Sequence, residues 1–280
     1  MRALLLAPLV VLGALPSPAA PPRHAPVPAE ARRTTVPPLV VIVLENHEYS
    51  SIVGSTSARY LGRRFIPSGT LFTNYHAIEH PSLPNYLDMT SGTDSGCHDD
   101  LCPRRSYRTN NLFHQLTAAG VEWHAWMGSM PSRCALRSAG MYAVKHNPAP
   151  YYSNLFPHTC RAHDVPYPST LPTLAPFTFI TPNICDDMHD CSVTHGDHWL
   201  RNEVPDLLGA GAVVVITFDE GSSSKGGGGH VMTAVSGPGV EAGAKDKRAF
   251  DHYGLLAGLE DWFGVHRLHH AKTHRPLPLT

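Results

Sequence analysis

The sequence predicts an α/β fold with a mostly parallel central sheet and helices on both of its faces. Two uninterrupted apolar runs, residues 39–44 and 212–218, are rich in β-branched side chains, which is typical of strands that are buried on both sides. Segments with helical periodicity lie between these runs and several shorter strand patterns. Because strands that alternate with helices are joined by crossover connections, they pair in parallel and the helices cover the sheet.

The remaining elements are assigned in the same way. Shorter strands are predicted at residues 121–126, 177–180 and 231–235, and helices at residues 57–65, 84–90, 110–119, 198–208 and 252–263. Residues 130–173 are rich in proline and show no periodicity. We therefore expect them to form a long ordered excursion that a disulfide holds in place.

Composition narrows the class of protein. At 280 residues the chain is long enough for one domain with a sizeable core. Its 42% hydrophobic and 16% charged residues are typical of a globular protein rather than a disordered one. The net charge of −1 provides no basic field, which argues against nucleic acid as a binding partner.

The N-terminus has the pattern of a secretory signal. Arg2 precedes an apolar run over residues 4–15, and Ala19 and Ala20 supply small residues for cleavage. This run is short for a membrane span, so we expect a secreted protein without a stable membrane anchor; an uncleaved anchor is the alternative. The predicted organisation is a signal peptide (1–20), a disordered lead-in (21–37), one domain (38–268) and a C-terminal tail (269–280).

The six cysteines are expected to form disulfides. An even cysteine count is typical of an exported protein whose thiols are paired, and the lack of a Cys-x-x-Cys pattern disfavours a zinc site. Several connectivities are possible. The spacing favours pairing of sequence neighbours, which are Cys97–Cys102, Cys134–Cys160 and Cys185–Cys191.

Polar side chains follow three of the predicted strands. Glu45, Asn46 and His47 come after the first strand, Asp219 and Glu220 come after the strand that ends at residue 218, and residues 181–190 come after a third. Ligands of parallel sheets bind outside the carboxyl ends of the strands. Any one of these acidic residues fits a helix cap or a solvated loop. Together, their oxygen atoms predict a site for a divalent cation.

Ser82 precedes a predicted helix and has two interpretations. Its hydroxyl fits an N-cap, and it also fits a nucleophile at a helix N-terminus, where backbone amides and the helix dipole favour a phosphate. His146 and His230 are each more typical of structural histidines when taken alone. Residues 226–229 are glycines that either let the backbone approach a ligand or form a mobile loop.

In these segments the sequence resembles the phosphoesterase family of bacterial acid phosphatases and non-specific phospholipases C, within the alkaline-phosphatase-like superfamily. The resemblance extends from residue 40 to about residue 265. The matching segments, whose shared order makes the resemblance specific, are residues 41–47, 80–86, 145–148, 182–190, 217–221 and the strand that begins near His230.

The resemblance implies an alkaline-phosphatase-like fold and a set of roles. Glu45, Asn46, Ser82, Asp219 and Glu220 would hold a divalent cation of unknown identity, and Ser82 would be the nucleophile. The catalytic histidines would be His146, His189 and His230, which contact phosphate or protonate the leaving group. Around residues 123–131 the sequence is also similar to the family, but Gly128 stands where an acidic residue is common.

The function implied is that of a secreted, metal-dependent phosphoesterase. The absence of the long C-terminal extension of the larger phospholipases C favours a phosphomonoesterase that acts through a phosphoserine intermediate on a phosphate ester substrate. A phospholipase C is the alternative within this chemistry, and a non-catalytic binding protein on the same scaffold is the alternative outside it. No Cys-x-Pro-x-Arg pattern of a sulfatase occurs.

Overall fold

An eight-stranded mixed sheet is the centre of the described part of the chain, residues 36–280 of a computed structural model. The predicted signal peptide and nearly all of the predicted lead-in lie outside the described residues. The strands, in chain order, are β1 (Leu39–Leu44), β2 (Gly69–Phe72), β3 (Tyr75–His76), β4 (Trp123–Met127), β5 (Asp164–Pro166), β6 (Phe177–Thr181), β7 (Val213–Phe218), β8 (Thr233–Ser236), β9 (Ala244–Asp246) and β10 (Phe250–Asp251).

The strand order confirms the predicted architecture. The order across the main sheet is β5-β4-β6-β1-β7-β8-β2-β9, and β3 pairs with β10 in a separate two-stranded ribbon. The first five strands of that order are mutually parallel. Only β8 runs against its neighbours β7 and β2. Both central strands, β1 and β7, are wholly buried, as their uninterrupted apolar sequences require.

Four of the five predicted helices are present, one differs, and two short helices, Tyr49–Ile52 and His158–His163, were not predicted. The helices are α1 (Tyr49–Ile52), α2 (Ser82–Ser91), α3 (Leu112–Ala118), α4 (His158–His163), α5 (Val193–Gly209) and α6 (His252–Phe263). The predicted helix over 57–65 is largely a π-helical turn, Leu61–Phe65. The amides of Tyr60 and Leu61 at its start donate to the buried Asp197 carboxylate of α5, at 2.8 and 2.9 Å. This contact with a distant residue determines the local geometry. It could not be predicted from the spacing of apolar residues in the sequence.

The proline-rich excursion contains regular structure. It includes α4 and β5, and β5 extends the sheet beyond β4. The Cys134–Cys160 disulfide closes it with a Cα–Cα distance of 5.5 Å. The other two disulfides are Cys97–Cys102 and Cys185–Cys191. All three predicted pairs are therefore confirmed.

The C-terminal residues pack against α6. Leu277 and Leu279 are buried, and the Leu277 amide donates to the Gly254 carbonyl at 2.8 Å. A side chain at Gly258 would lie 2.4 Å from the Leu277 carbonyl oxygen, so this glycine allows the close approach. No helix within residues 36–280 combines the length and the apolar character that a membrane crossing needs.

We expect the disulfides to stabilise the fold according to the length of chain that each one closes. The Cys134–Cys160 bond spans 26 residues and the Cys97–Cys102 bond spans 5. Replacing the first pair with alanines should lower the free energy of unfolding by about 2–4 kcal/mol, and by about 1.5 kcal/mol more than the same replacement of the second pair. Urea denaturation of the two double variants measures this difference, and equal losses would contradict the loop-entropy explanation.

Candidate active site

Three buried carboxyl groups meet at the carboxyl edge of the parallel strands. Glu45 follows β1, Asp219 follows β7, and Asp187 lies in the loop after β6; none of them is exposed to solvent. The Glu45 amide donates to the Asp187 carbonyl at 2.9 Å. The strand order thus concentrates like charges at one point, as the sequence predicted for Glu45 and Asp219.

Helix α2 holds Glu45 from one side. The Ser82 hydroxyl donates to Glu45 Oε2 at 3.1 Å, and the Tyr86 hydroxyl, one turn further along, donates to Glu45 Oε1 at 2.5 Å. Ser82 is the first residue of the helix, and the N-cap position belongs to Pro81. The N-cap interpretation of Ser82 is therefore not what the structure shows, because its hydroxyl faces a carboxylate instead of the helix backbone.

The backbone at Asn46 ties two strand ends together. Asn46 has a left-handed conformation with φ of 57°, and its amide donates to Asp219 Oδ1 at 3.1 Å. The second oxygen, Asp219 Oδ2, is buried and has no hydrogen-bond partner among the described residues. His252 Nε2 donates to the Asp219 carbonyl at 2.6 Å, and the Tyr75 hydroxyl donates to His252 Nδ1 at 2.9 Å.

The three buried carboxyl groups of the site have no lysine or arginine ion-pair partner among the described residues. Burial, with the nearby Asp219 and Asp187, raises the pKa of Glu45 well above its usual value. Burial also raises the pKa of Asp187 to about 8 and that of Asp219 to about 6. The ion pairs of lysine and arginine within residues 36–280 involve other carboxylates. A divalent cation fits this donor set, because it supplies the missing charge and a partner for Asp219 Oδ2.

The predicted metal ligands do not all converge. Glu45, Ser82 and Asp219 share the buried site, and Asn46 enters it through its amide. Glu220 lies next to Asp219 but binds His80, whose Nδ1 lies 2.7 Å from Glu220 Oε2 and whose Nε2 donates to the Ser223 carbonyl. Although burial lowers the pKa of His80, these two hydrogen bonds raise it overall.

His146 connects two of the buried carboxylates. Its Nδ1 lies 3.1 Å from Asp187 Oδ2, its Nε2 lies 3.3 Å from Glu45 Oε2, and its ring stacks on that of Tyr86 at 5.7 Å. Burial lowers the pKa of His146 well below its usual value. Nε2 satisfies no hydrogen-bond geometry with any described residue, so a neutral imidazole presents a free nitrogen toward the oxygen that also accepts from Ser82.

His189 lies at the more exposed side of the site. Its Nε2 is 3.4 Å from Lys145 Nζ, and its Nδ1 is 2.6 Å from Asp190 Oδ1. Lys145 also donates to Asp100 Oδ2 at 2.9 Å, while Asp100 Oδ1 accepts from the Leu83 amide at 3.1 Å. This chain of contacts links the excursion to the N-terminus of α2.

His230 lies apart from the carboxylates. Its Nε2 donates to the Thr73 carbonyl at 3.1 Å, and its ring stacks between those of Tyr49 and His76 at 4.3 and 5.0 Å. The glycine run before it packs tightly: a side chain at Gly227 would lie 1.9 Å from the Ile78 carbonyl oxygen. The glycines therefore allow the backbone to approach the segment that leads to Ser82.

Sequence reasoning missed several residues around the site. Tyr86 had a usable signal, because it lies one helical turn after Ser82. Asp187 lies in the matching segment 182–190 but was assigned no role. Lys145 lies in the matching segment 145–148 but was assigned no role, whereas Asp100 and His252 had no local signal, since each reaches the site by a contact between distant segments.

Gly128 illustrates a difference from the family pattern. A Cβ atom there would lie 2.2 Å from the Asn183 amide nitrogen. An acidic side chain does not fit this backbone, so the loop after β4 contributes no carboxylate at that position.

Known proteins resemble this chain in sequence. A phosphatidylinositol-3-phosphatase of Mycobacterium tuberculosis is 29% identical over 246 residues, covering 85% of this chain and 81% of the relative. A probable acid phosphatase of Kluyveromyces lactis is 28% identical, covering 79% of this chain. The chain spans only 54–58% of the length of that relative and of three other fungal acid phosphatases.

Solved structures resemble it in fold. Murine ectonucleotide pyrophosphatase/phosphodiesterase 5 superposes with a TM-score of 0.59 at 9% identity, covering 83% of this chain and 96% of that one. A protein of the alkaline phosphatase superfamily from Vibrio parahaemolyticus superposes with a TM-score of 0.55 at 12% identity, covering 86% and 70%.

The alkaline-phosphatase-like sheet and these relatives identify the class of the protein as a phosphoric ester hydrolase. Residues 63–266 match the model of the Phosphoesterase family. This match covers most of the chain, and the chain belongs to that family.

We expect His252 to make stability depend on pH. Burial lowers its pKa to about 4 from 6.5, so the unfolded state binds the proton more tightly, and this contribution to stability falls as pH drops from about 6.5 to about 4. Its full size is about 3 kcal/mol. Urea denaturation with chelator present should show a smaller loss over this window in His252→Gln than in the wild type.

Exposed His158 provides the matched control. His158→Gln should retain the wild-type pH dependence. A His252→Gln profile parallel to the wild type would show that His252 is not the group responsible.

Proposed function

We propose that this protein is a secreted, metal-dependent phosphomonoesterase in which Ser82 is the nucleophile. The observation that carries the proposal is the position of the Ser82 hydroxyl, 3.1 Å from Glu45 Oε2 at the first residue of α2 and beside the unpartnered Asp219 Oδ2. The Ser82 hydroxyl thus faces a buried carboxylate instead of the helix backbone, as expected of an attacking group at a cation site.

The cation would be held by Glu45, Asp219 and Ser82; Asn46 and Glu220 belong to the predicted set, but Asn46 reaches the site through its amide and the Glu220 carboxylate is hydrogen-bonded to His80. When bound, such a cation stabilises negative charge on phosphate oxygens and favours the ionised form of the serine. The buried carboxyl groups support this assignment, because burial raises the pKa values of Glu45 and Asp219 and a bound cation would favour their ionised forms.

Ser82 and His146 act together in the first half of the reaction, Ser82 as the nucleophile and His146 as the acceptor of its proton. Both contact Glu45 Oε2, at 3.1 and 3.3 Å, so the Ser82 proton has a short path to the free Nε2 of His146. The serine oxygen attacks phosphorus in line, and the bond to the alcohol breaks, which leaves phosphoserine. The alcohol leaves with a proton from His189; water then attacks phosphorus and gives a proton to His189, while the departing Ser82 oxygen takes its proton back from His146, so that Ser82 and both histidines are restored.

The leaving alcohol and the phosphate are assigned to the more exposed side of the site. His189 is partly exposed and lies next to Lys145, so it is the histidine that reaches a departing alcohol. Lys145 and His80 supply positive charge for the phosphate oxygens. His230 belongs to the predicted catalytic set, but its stacking partners lie elsewhere, and we assign it to positioning the loop after β1 through its carbonyl bond to the Tyr49 amide at 2.7 Å.

The relatives favour a phosphomonoester substrate. Each curated relative found is named for the hydrolysis of a monoester, either as an acid phosphatase or as a phosphatidylinositol-3-phosphatase. A phospholipase C, which cleaves a diester, remains the alternative activity. A non-catalytic binding protein is disfavoured by the retained serine and carboxylates. Secretion is supported by the three disulfides, since such bonds persist in oxidising compartments.

The function is tested by assaying purified protein on phosphomonoesters and phosphodiesters, each as a soluble compound and as a phospholipid. We expect turnover of p-nitrophenyl phosphate and phosphatidylinositol 3-phosphate, and little turnover of bis(p-nitrophenyl) phosphate or phosphatidylcholine vesicles. Ser82→Ala should lower turnover by about three orders of magnitude or more, because the attacking group is lost.

Ser91→Ala is the matched control, because Ser91 is a buried hydroxyl of the same helix that donates to backbone carbonyls. This variant should retain near-normal turnover. Release of head group from phosphatidylcholine at a rate above that of monoester hydrolysis would replace the proposal with the phospholipase C alternative. Normal turnover by Ser82→Ala would remove Ser82 as the nucleophile.

Metal dependence is tested at Asp219. Dialysis against chelator should abolish monoester hydrolysis, and a divalent cation should restore it. Asp219→Ala should bind less metal by elemental analysis and lose activity, because Oδ2 is no longer available. Asp206→Ala removes an exposed carboxylate of α5 and should change neither quantity. Full metal content and activity in Asp219→Ala would count against the ligand assignment.

A further inference from the structure

A second group of acidic residues lies around the same helix, outside the site described above. Asp88 belongs to α2, Glu79 lies just before that helix, and Asp94 lies just after it. His98 follows in the loop closed by the Cys97–Cys102 disulfide. Nothing in the proposed phosphatase mechanism uses these residues.

Asp88 is the unusual member of this group. It has no exposed surface, and neither of its carboxylate oxygens has a hydrogen-bond partner among the described residues. Burial, with Glu79 nearby, raises the pKa of Asp88 to about 9. A buried carboxylate without a partner is costly, so the structure must compensate it either with a proton or with a cation.

The neighbouring side chains converge as ligands do. Glu79, Asp94 and His98 each present a donor atom within 4.8 Å of the other two, and His98 Nδ1 lies 3.0 Å from Asp94 Oδ2. The ion pairs of lysine and arginine in the described chain lie at other carboxylates. Asp88 lies against Glu79, so the buried carboxylate adjoins this group, in which His98 is the basic side chain.

We propose that Glu79, Asp88 and Asp94 bind a second divalent cation, distinct from the one at Ser82, with His98 at its solvent side. Carboxylate oxygens from three separate segments match the preference of Ca²⁺ for six to eight oxygen ligands at about 2.3–2.6 Å. Ligation by the His98 nitrogen as well would favour Mn²⁺. The proposal stands independently of the phosphatase activity.

The position of this site gives it a structural role. The Asn85 side chain of α2 accepts from the amides of Ile78 and Glu79 and donates to the Glu79 carbonyl at 2.8 Å. The segment that precedes Ser82 is thus fastened to α2 at its backbone. A cation shared by Glu79, Asp88 and Asp94 fastens the side chains of the same segment and adds the loop after the helix.

The test separates the two sites by using Asp219→Ala as the background, because that change disables the proposed catalytic cation site. The protein is stripped with chelator, dialysed, and titrated with Ca²⁺ or Mn²⁺ by calorimetry, and its thermal unfolding is followed with and without each ion. We expect one ion per chain and a higher melting temperature. Adding Asp88→Asn should weaken binding by about tenfold or more and abolish the thermal response.

Glu241→Gln is the matched control, because it removes one negative charge at an exposed position and should leave binding unchanged. Asp94→Asn serves if Asp88→Asn does not fold, since it keeps the Oδ1 acceptor for the Gly96 amide. Binding of neither ion, or binding that is equal with and without the substitutions, would overturn the proposal and assign a shared proton to Glu79 and Asp88. Loss of phosphatase turnover in Ser82→Ala or Asp219→Ala bears on the proposed function and not on this second cation site.

Discussion

The burial of Glu45 is the constraint on which the rest of the site depends. Its carboxyl group lies at the end of β1, a strand that is wholly buried. Two more carboxyl groups lie beside it, just beyond the ends of the neighbouring strands. Each of its oxygens accepts from α2, through Ser82 and Tyr86. The parallel order of β6, β1 and β7 makes this meeting unavoidable, because it delivers the residues after all three strands to one edge.

Helix α2 is the element that connects this edge to its surroundings. Its first residue carries the hydroxyl of the site, the amide of Leu83 donates to Asp100, and a later turn bears Asp88. Asp100 in turn binds Lys145, which contacts His189. A displacement of α2 would therefore change the positions of Ser82, Lys145 and His189 together. The geometry of the site thus depends on how this helix packs.

The features that the sequence predicted correctly are those encoded locally. The apolar strands, the helix that begins near Ser82 and the neighbouring cysteine pairs follow from periodicity, turn residues and spacing. Glu45 and Asp219 were predictable because a parallel sheet gathers the residues that follow its strands. What could not be predicted depends on contacts between distant segments. The π-helical turn at Leu61 depends on Asp197 of α5, and the separate position of His230 depends on stacking with Tyr49 and His76.

The three disulfides have a common feature beyond their effect on stability. The first encloses Asp100, the second encloses Lys145 and His146, and the third encloses Asp187 and His189. Ser82, Glu45 and Asp219 lie outside every one of these loops, on elements that the core alone fixes. A chain that folds before its cysteines oxidise thus already positions Ser82, Glu45 and Asp219, the proposed nucleophile and cation ligands, while the groups that we propose to surround the phosphate lack their covalent restraint. Oxidation is then the step that completes the site, which couples its assembly to the compartment where the chain matures.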